Sequence, residues 1–230
     1  MTFKGGFNGS KTGLSEELIG MRAVQEIKEG YCVNLGRGLP GVVPNCIPQG
    51  MEVMLHSESG VLGYGPLPEE EMWDADLVIA GISPGSLLPG ASFFDDADAH
   101  LMMRAGHLDL TFLGAYQVSE EGDLANWSLG RPDELGNIGG AMDLAQGAKR
   151  VIVLMNHVDR TGKPRILKHC SYPLTGKKVV NKVITSLAVI EVTPQGLLLK
   201  EVAPGFTTEE IQTVTEPKLI VAADLKEMEF

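Results

Sequence analysis

Glu58 stands between Ser57 and Ser59, behind the apolar run Val53-Met54-Leu55 and ahead of Gly60, Gly63 and Gly65. A short apolar run ahead of such a segment reads as the end of a buried strand. The glycines let the backbone turn sharply through positive φ. Open α/β sheets place their ligand crevice at the carboxyl ends of such strands. A carboxylate held there can act as nucleophile or base, which makes Glu58 the catalytic candidate of the chain. The competing reading is a solvated turn residue, the usual fate of Glu among Ser and Gly.

Three further constellations carry chemistry. Gly136-Asn137-Ile138-Gly139-Gly140-Ala141-Met142-Asp143 puts glycines ahead of a short helical pattern ending near Gly147. Free N–H groups at such a start can hold an anion or a developing oxyanion, so Gly139 and Gly140 are the oxyanion candidates. Gly36-Arg37-Gly38-Leu39-Pro40 turns the chain after a strand and can cradle an anion in the same way, with Pro40 opening a short helix. Arg104, His107 and Asp109 suggest acid–base work, yet a hydrogen-bonded brace at the start of a strand suits them better. His157 and His169 lack zinc-ligand spacing. Lys163 to Lys168 reads as a solvated basic loop.

These groups need a frame. Ser15 with Glu16 and Glu17 predicts a helix over 15–29, with Ile19, Ala23 and Ile27 on one face and Gly30 as its stop. Strands are expected at 31–35, 53–55, 77–80, 110–113 and 151–155, with a helix after Asp95 and Asp96 that carries Ala99, Met102 and Met103. Pro84-Gly85 and Pro89-Gly90 read as turn punctuation, and 114–127 as a tight connection. Thr193-Pro194-Gln195-Gly196 between two apolar runs predicts a hairpin over 187–202. Thr207 and Glu210 form a capping box for a last helix to about Val214. The ordered core is expected over about 15–214, with the final residues peripheral. Alternating strands and helices closed by a hairpin give an α/β fold with an open, mostly parallel sheet and flanking helices.

The chain has 230 residues, 43% hydrophobic, with a net charge of −11. One domain spanning 1–230 is the default at this length. The acidic surface speaks against nucleic acid, and the absence of about 20 consecutive apolar residues speaks against a membrane span. Met1 to Lys11 lacks the apolar core of a signal peptide. Cys32, Cys46 and Cys170, odd in number and widely spaced, point to a reducing cytoplasm.

Several segments together resemble the B (β) subunits of 3-oxoacid coenzyme A transferases. Ser57, Glu58 and Gly60 match the Ser-Glu-Asn-Gly signature, with Ser59 in place of the asparagine. Asn34-Leu35-Gly36-x-Gly38-Leu39-Pro40 is similar to another family segment, with Arg37 where an aliphatic residue is usual. Leu88 to Phe94, Arg104 with Gly106, His107 and Asp109, Gly114 to Ser119, Gly122 to Trp127, Gly139 to Asp143 and Cys170 to Gly176 match in order. Ile82 to Gly85 and Gly130 to Glu134 depart from the lysine-containing forms.

The resemblance implies the open α/β fold of the CoA-transferase superfamily. It implies a ping-pong transfer of CoA from an acyl-CoA to a carboxylate through a glutamyl–CoA thioester on Glu58. Gly139, Gly140, Asn34, Gly36, Gly38 and Ser57 become oxyanion or substrate-binding candidates. No cofactor or metal is held permanently; the CoA thioester is substrate. The partner implied is an A (α) subunit in an α2β2 heterotetramer. The acids stay open, with Ser171-Tyr172-Pro173 and Glu191 to Pro194 leaning towards 3-oxoadipate. A sugar-phosphate isomerase-like enzyme on a related fold and a non-catalytic partner subunit remain as alternatives.

Overall fold

The computed structural model describes residues 11–79, 83–131, 133–134, 136 and 138–230. The polar start at 1–10, the last residue of the strand expected at 77–80, Ile82 of one departing segment, Pro132 of the other, and Asn137 of the glycine-rich loop lie outside them. In chain order the elements are α1 (Glu16–Val24), β1 (Cys32–Leu35), a 3-10 helix (Leu39–Cys46), β2 (Met54–Ser57), β3 (Val61–Tyr64), a 3-10 turn (Glu70–Met72), β4 (Val78–Ile79) and β5 (Ser83–Pro84). Then follow β6 (Leu87–Phe93), α2 (Asp96–Arg104), β7 (Leu110–Leu113), β8 (Gln117–Ser119), β9 (Leu124–Ala125), α3 (Ala141–Gly147), β10 (Val151–Met155) and β11 (Ile166–Leu167). The chain closes with β12 (Lys182–Thr185), β13 (Ala188–Thr193), β14 (Gly196–Val202), α4 (Thr208–Thr213) and β15 (Leu219–Glu227).

Ten strands make one sheet in the order β15-β14-β13-β12-β10-β7-β1-β2-β3-β6. Its centre, β12-β10-β7-β1-β2, is parallel throughout. Antiparallel pairs extend both sides, β2-β3-β6 on one and β12-β13-β14 on the other, and β15 runs parallel to β14. This is the open, mostly parallel sheet with flanking helices that the alternation predicts. Central strands buried on both faces read as unbroken apolar runs, and Val151 to Met155 is such a run. Val151, Val153 and Met155 join one core with Met103 of α2 and Leu144 of α3. Ile152 and Leu154 join the other with Ile19 and Ala23 of α1.

α1 starts where expected, with the Ser15 hydroxyl accepting from the Leu18 N–H at 3.3 Å. It ends at Val24 and not at 29, because the Glu26 and Ile27 N–H groups bond three residues back and tighten the chain into a turn. Ile19, Ala23 and Ile27 are nonetheless all buried. Val78–Ile79 is not a strand of the main sheet; it pairs with β5 in a separate ribbon. The edge it would have used is taken by β6, a strand that runs straight through Pro89 and Gly90, where the sequence suggests only a turn. Proline is tolerated at a sheet edge, where its missing N–H faces outward. The terminal residues are not peripheral either. They form the nine-residue edge strand β15, and Leu219, Ala222 and Met228 are buried, so the ordered core continues well past 214.

Candidate active site

The carboxyl ends of four parallel strands open on one cleft of about 630 Å³. β1 delivers Gly36, Arg37 and Gly38, β2 delivers Glu58, β7 delivers Gly114 and Ala115, and β10 delivers Met155 and Asn156. The opening of α3 adds Gly139 and Gly140 from above. Tyr116, Asn126, Trp127 and Arg165 complete one wall.

The Glu58 turn is over-determined by its backbone. Gly60 adopts φ +91° and lies so close to β6 that a Cβ would run into the Phe94 carbonyl oxygen. The Gly60 carbonyl in turn accepts from the Phe94 N–H at 3.0 Å. Ser57 and Ser59 bond each other through their hydroxyls at 2.8 Å, and the Ser59 hydroxyl donates to the Val78 carbonyl at 3.2 Å. Ser59, the departure from the family signature, thereby ties the turn to β4. The side chain of Glu58 is left half-buried, with no hydrogen bond or ion pair among the described residues. Gly140 lies against it: a Cβ there would stand 3.4 Å from both Cβ and Cδ of Glu58. Tyr64 is buried beside the carboxylate, and burial first, then the Glu58 charge, push its phenol pKa up, so it stays neutral.

The glycines Gly36, Gly38, Gly139 and Gly140 all reach the cleft. α3 has no side-chain cap at its N-terminus, so its first N–H groups are left unclaimed by a cap. Asn34 and Ser57 do not line the cleft. Asn34 is fully buried one residue lower and donates to the His56 carbonyl at 3.0 Å, with the His56 ring nitrogen Nδ1 3.1 Å away. Strand alternation explains the difference, since side chains just before a strand's end face the core layers and the loop after it faces the crevice.

The remaining charged groups have structural work. Asp109 accepts from the Cys32 N–H at 2.9 Å and from Lys149 at 2.7 Å, bracing the start of β1. Arg104 does not join it; it forks onto Asp143 of α3 at 2.8 and 3.1 Å, with His100 on the same carboxylate. His157 is fully buried between the hydroxyls of Thr185 and Thr215 at 2.8 and 2.9 Å. Burial works against the Glu134 charge, but bonds from Ser128 and the Leu129 N–H hold its carboxyl below the ordinary range. Among the described residues no cluster of His, Cys, Asp and Glu could hold a metal ion, and no helix is long and apolar enough to cross a membrane.

Arg165 is concealed in the sequence as part of a solvated basic loop. The structure puts it in the cleft wall at the start of β11, because its N–H bonds the His157 carbonyl at 3.2 Å and its carbonyl accepts from Val118 at 3.0 Å. Asn126, Trp127 and Tyr116 are equally unreadable as cleft residues. Their one signal is membership of segments dense in Gly and polar residues. Asn126 is fixed by donating to the Gly114 carbonyl at 3.0 Å and accepting from Thr175 at 2.6 Å. Trp127 donates to the Leu174 carbonyl at 3.2 Å.

Comparison with known proteins decides the family. The Coenzyme A transferase family model matches residues 18–213. The chain belongs to the coenzyme A transferase family. It is 50% identical over 202 residues, 87% of this chain and 93% of the relative, to the B subunit of a probable succinyl-CoA:3-ketoacid coenzyme A transferase of Bacillus subtilis (strain 168). It is 44% identical over 209 residues, 91% of this chain and 96% of the relative, to the B subunit of the 3-oxoadipate CoA-transferase of Acinetobacter baylyi. Its fold is shared by the acyl-CoA transferase YdiF of Escherichia coli O157:H7, at a TM-score of 0.74 and 18% identity over 98% of this chain. The chain spans 45% of that longer protein. The resemblance seen in the motifs is therefore a family relationship, and the chain is the B (β) type of CoA-transferase subunit. The isomerase-like alternative is set aside by this membership.

Proposed function

We propose that this CoA-transferase chain moves CoA from an acyl-CoA to a 3-oxoacid through a covalent thioester on Glu58. What carries the reading is the Glu58 carboxylate, half-buried at the carboxyl edge of the parallel strands and engaged by no hydrogen bond or ion pair among the described residues. A structural glutamate fully buried in the core would be paired, whereas this one opens on the cleft. A nucleophile has to be free.

The steps follow from carboxylate chemistry. A Glu58 oxygen attacks the donor thioester carbonyl. The C–S bond breaks, CoA leaves as thiolate with the electron pair, and an acyl–glutamyl anhydride remains. The thiolate then attacks Cδ of Glu58, the anhydride C–O bond breaks, and the first acid leaves as its carboxylate. A second carboxylate reverses both steps and departs as the new acyl-CoA. Bonds and charges balance with no proton, electron or nucleotide consumed, which is covalent ping-pong catalysis. Each tetrahedral intermediate places negative charge on an oxygen. The N–H groups about Gly139 and Gly140, which line the cleft together with Glu58, are the oxyanion donors in this reading. Gly36 and Gly38 line the same cleft.

The partner in this reading is an A (α) chain in an α2β2 assembly, since the relatives are named as one of two kinds of chain. Apolar exposure near the site supports a covered surface. Leu87 and Phe93 of β6 are 42% and 64% exposed, and Met72 and Trp73 in the preceding loop 73% and 50%. Large exposed apolar groups concentrated in one region mark interaction sites.

The test is mass spectrometry of the assembly that copurifies with this chain. It is incubated with a panel of acyl-CoAs and no acceptor acid. The expected result is a CoA-sized adduct on the Glu58 peptide, removed by adding an acid. Glu58→Gln should fold and assemble but give no adduct and lose CoA exchange. An adduct that persists in Glu58→Gln, or none with any donor, would refute the proposal.

A further inference from the structure

Arg165 is the half-buried cation that the mechanism above leaves unused. Of the arginines that are not fully exposed, Arg22 and Arg150 are ion-paired to glutamates, whereas Arg165 has no ion pair and no side-chain hydrogen bond among the described residues. The neighbouring carboxylate, Asp159, acts on it through its charge but makes no ion-pair contact with it. That group is committed to the Thr161 N–H and hydroxyl, both at 2.7 Å, and to the Lys163 N–H at 3.0 Å. Burial costs the guanidinium hydration, and in a chain of net charge −11 acidic partners are abundant, so leaving this cation unpaired is a choice of placement. Its backbone is pinned on both sides, to His157 and Val118. Tyr116 and Tyr172 stand edge to face beside it, with ring centroids 6.4 Å apart. A guanidinium is a planar fork suited to an oxyanion that accepts two parallel N–H bonds.

We propose that Arg165 binds the second carboxylate of a dicarboxylic substrate whose first carboxyl group reacts at Glu58. The proposal rests on the reading of Glu58 as the nucleophile. Arg165 and Glu58 line the same cleft, so the mono-CoA thioester of a short diacid can present its neutral thioester carbonyl to Glu58 and its free carboxylate to Arg165, and the free diacid meets the uncharged glutamyl thioester in the same way. The same fork could meet a phosphate of CoA. The long pantetheine arm, however, carries those phosphates away from the reacting sulfur, whereas Arg165 is set into the wall of the site itself. Arg165 is thus a specificity-determining residue: it selects diacids over monoacids and takes no part in bond exchange.

The experiment compares the wild-type assembly with Arg165→Gln and Arg165→Lys. Acetyl-CoA, which carries no second carboxylate, is used to load Glu58, and succinate and acetate are used as acceptors. The expected result is unchanged loading from acetyl-CoA, unchanged transfer to acetate, and a KM for succinate raised roughly tenfold to a hundredfold in Arg165→Gln, with partial recovery in Arg165→Lys. Calorimetric titration of each assembly with succinate and with acetate should show the same selective loss without turnover. Weaker loading from acetyl-CoA would assign the fork to CoA and overturn the proposal. Equal losses for both acids, or no change for succinate, would overturn it as well. Failure of the wild type to load from any acyl-CoA would instead strike the Glu58 mechanism, and the titrations would still decide the role of Arg165.

Discussion

Gly140 shows how much of this site is a matter of single atoms. Its φ of −81° and ψ of 1° suit any residue, so backbone freedom does not require glycine there. What a Cβ would add there is van der Waals contact with the Glu58 side chain, at 3.4 Å. Gly140→Ala should therefore fold and melt like the wild type, yet restrict the carboxylate and narrow the approach to it. Displacement of a reacting group by about 1 Å can cost ~100-fold. We expect kcat to fall roughly tenfold to a hundredfold with the melting temperature nearly unchanged, checked by steady-state kinetics beside thermal denaturation. An unchanged kcat would mean that Glu58 does not move through this space. The glutamate and the glycines are legible as a pattern because the pattern is local. Arg165 is not, because nothing in Lys163 to Lys168 tells that β11 will pair with β8 and carry that one side chain into a cleft built by β1, β2 and β7.

At the level of elements, α1 is fastened to the sheet by charge as well as by its apolar face. Arg22 forks onto Glu201 of β14 at 2.6 and 2.8 Å and reaches Glu26 at 3.1 Å, while Lys182 of β12 holds Glu26 at 2.7 Å. Arg22 is 5% exposed. Removing Arg22 leaves Glu201 charged and unpaired while Glu26 keeps Lys182 and Arg150, and an uncompensated buried charge costs about 3–5 kcal/mol. Arg22→Ala should lower stability by that order in urea denaturation. Arg22→Met combined with Glu201→Leu should recover most of it, because no lone charge stays buried. A loss of under about 1 kcal/mol for Arg22→Ala would show the network to be solvent-screened. Of this pairing only Arg22–Glu26 has a spacing that sequence can show; Arg22 and Glu201 are 179 residues apart. What sequence does show is what a single element encodes alone: the Ser15 cap, the Thr207 and Glu210 capping box, the run Val151 to Met155 and the hairpin around Gly196. β6 and β15 escape such reading. Each is an edge strand, stabilised by the neighbour it meets and not by its own composition.

Taken whole, the molecule keeps two imidazoles in its interior, and these set its behaviour in acid. His56 and His157 are fully buried, and burial lowers each ring to a pKa of about 4 from 6.5. The unfolded chain therefore binds protons below about pH 6.5 that the folded chain refuses until about pH 4. Since stability rises with pH wherever the unfolded state binds more protons, it is full above about 6.5 and falls steadily on acidification towards 4. The buried glutamate in the α1 network, Glu26, adds to this only later, as pH drops below the ordinary carboxylate range: burial opposes its charge, but Lys182 and Arg22 hold its pKa low. Between about pH 4.5 and 6.5 the slope should thus approach two protons per molecule. His157→Gln, which can still meet one of the two threonine hydroxyls, should reduce that slope towards one while lowering stability at neutral pH. Urea midpoints measured across this window on both proteins would read the slopes directly. A flat wild-type profile down to about pH 4.5 would mean that the two rings take up protons without unfolding, and that the cores on both faces of the sheet admit water at His56 or His157.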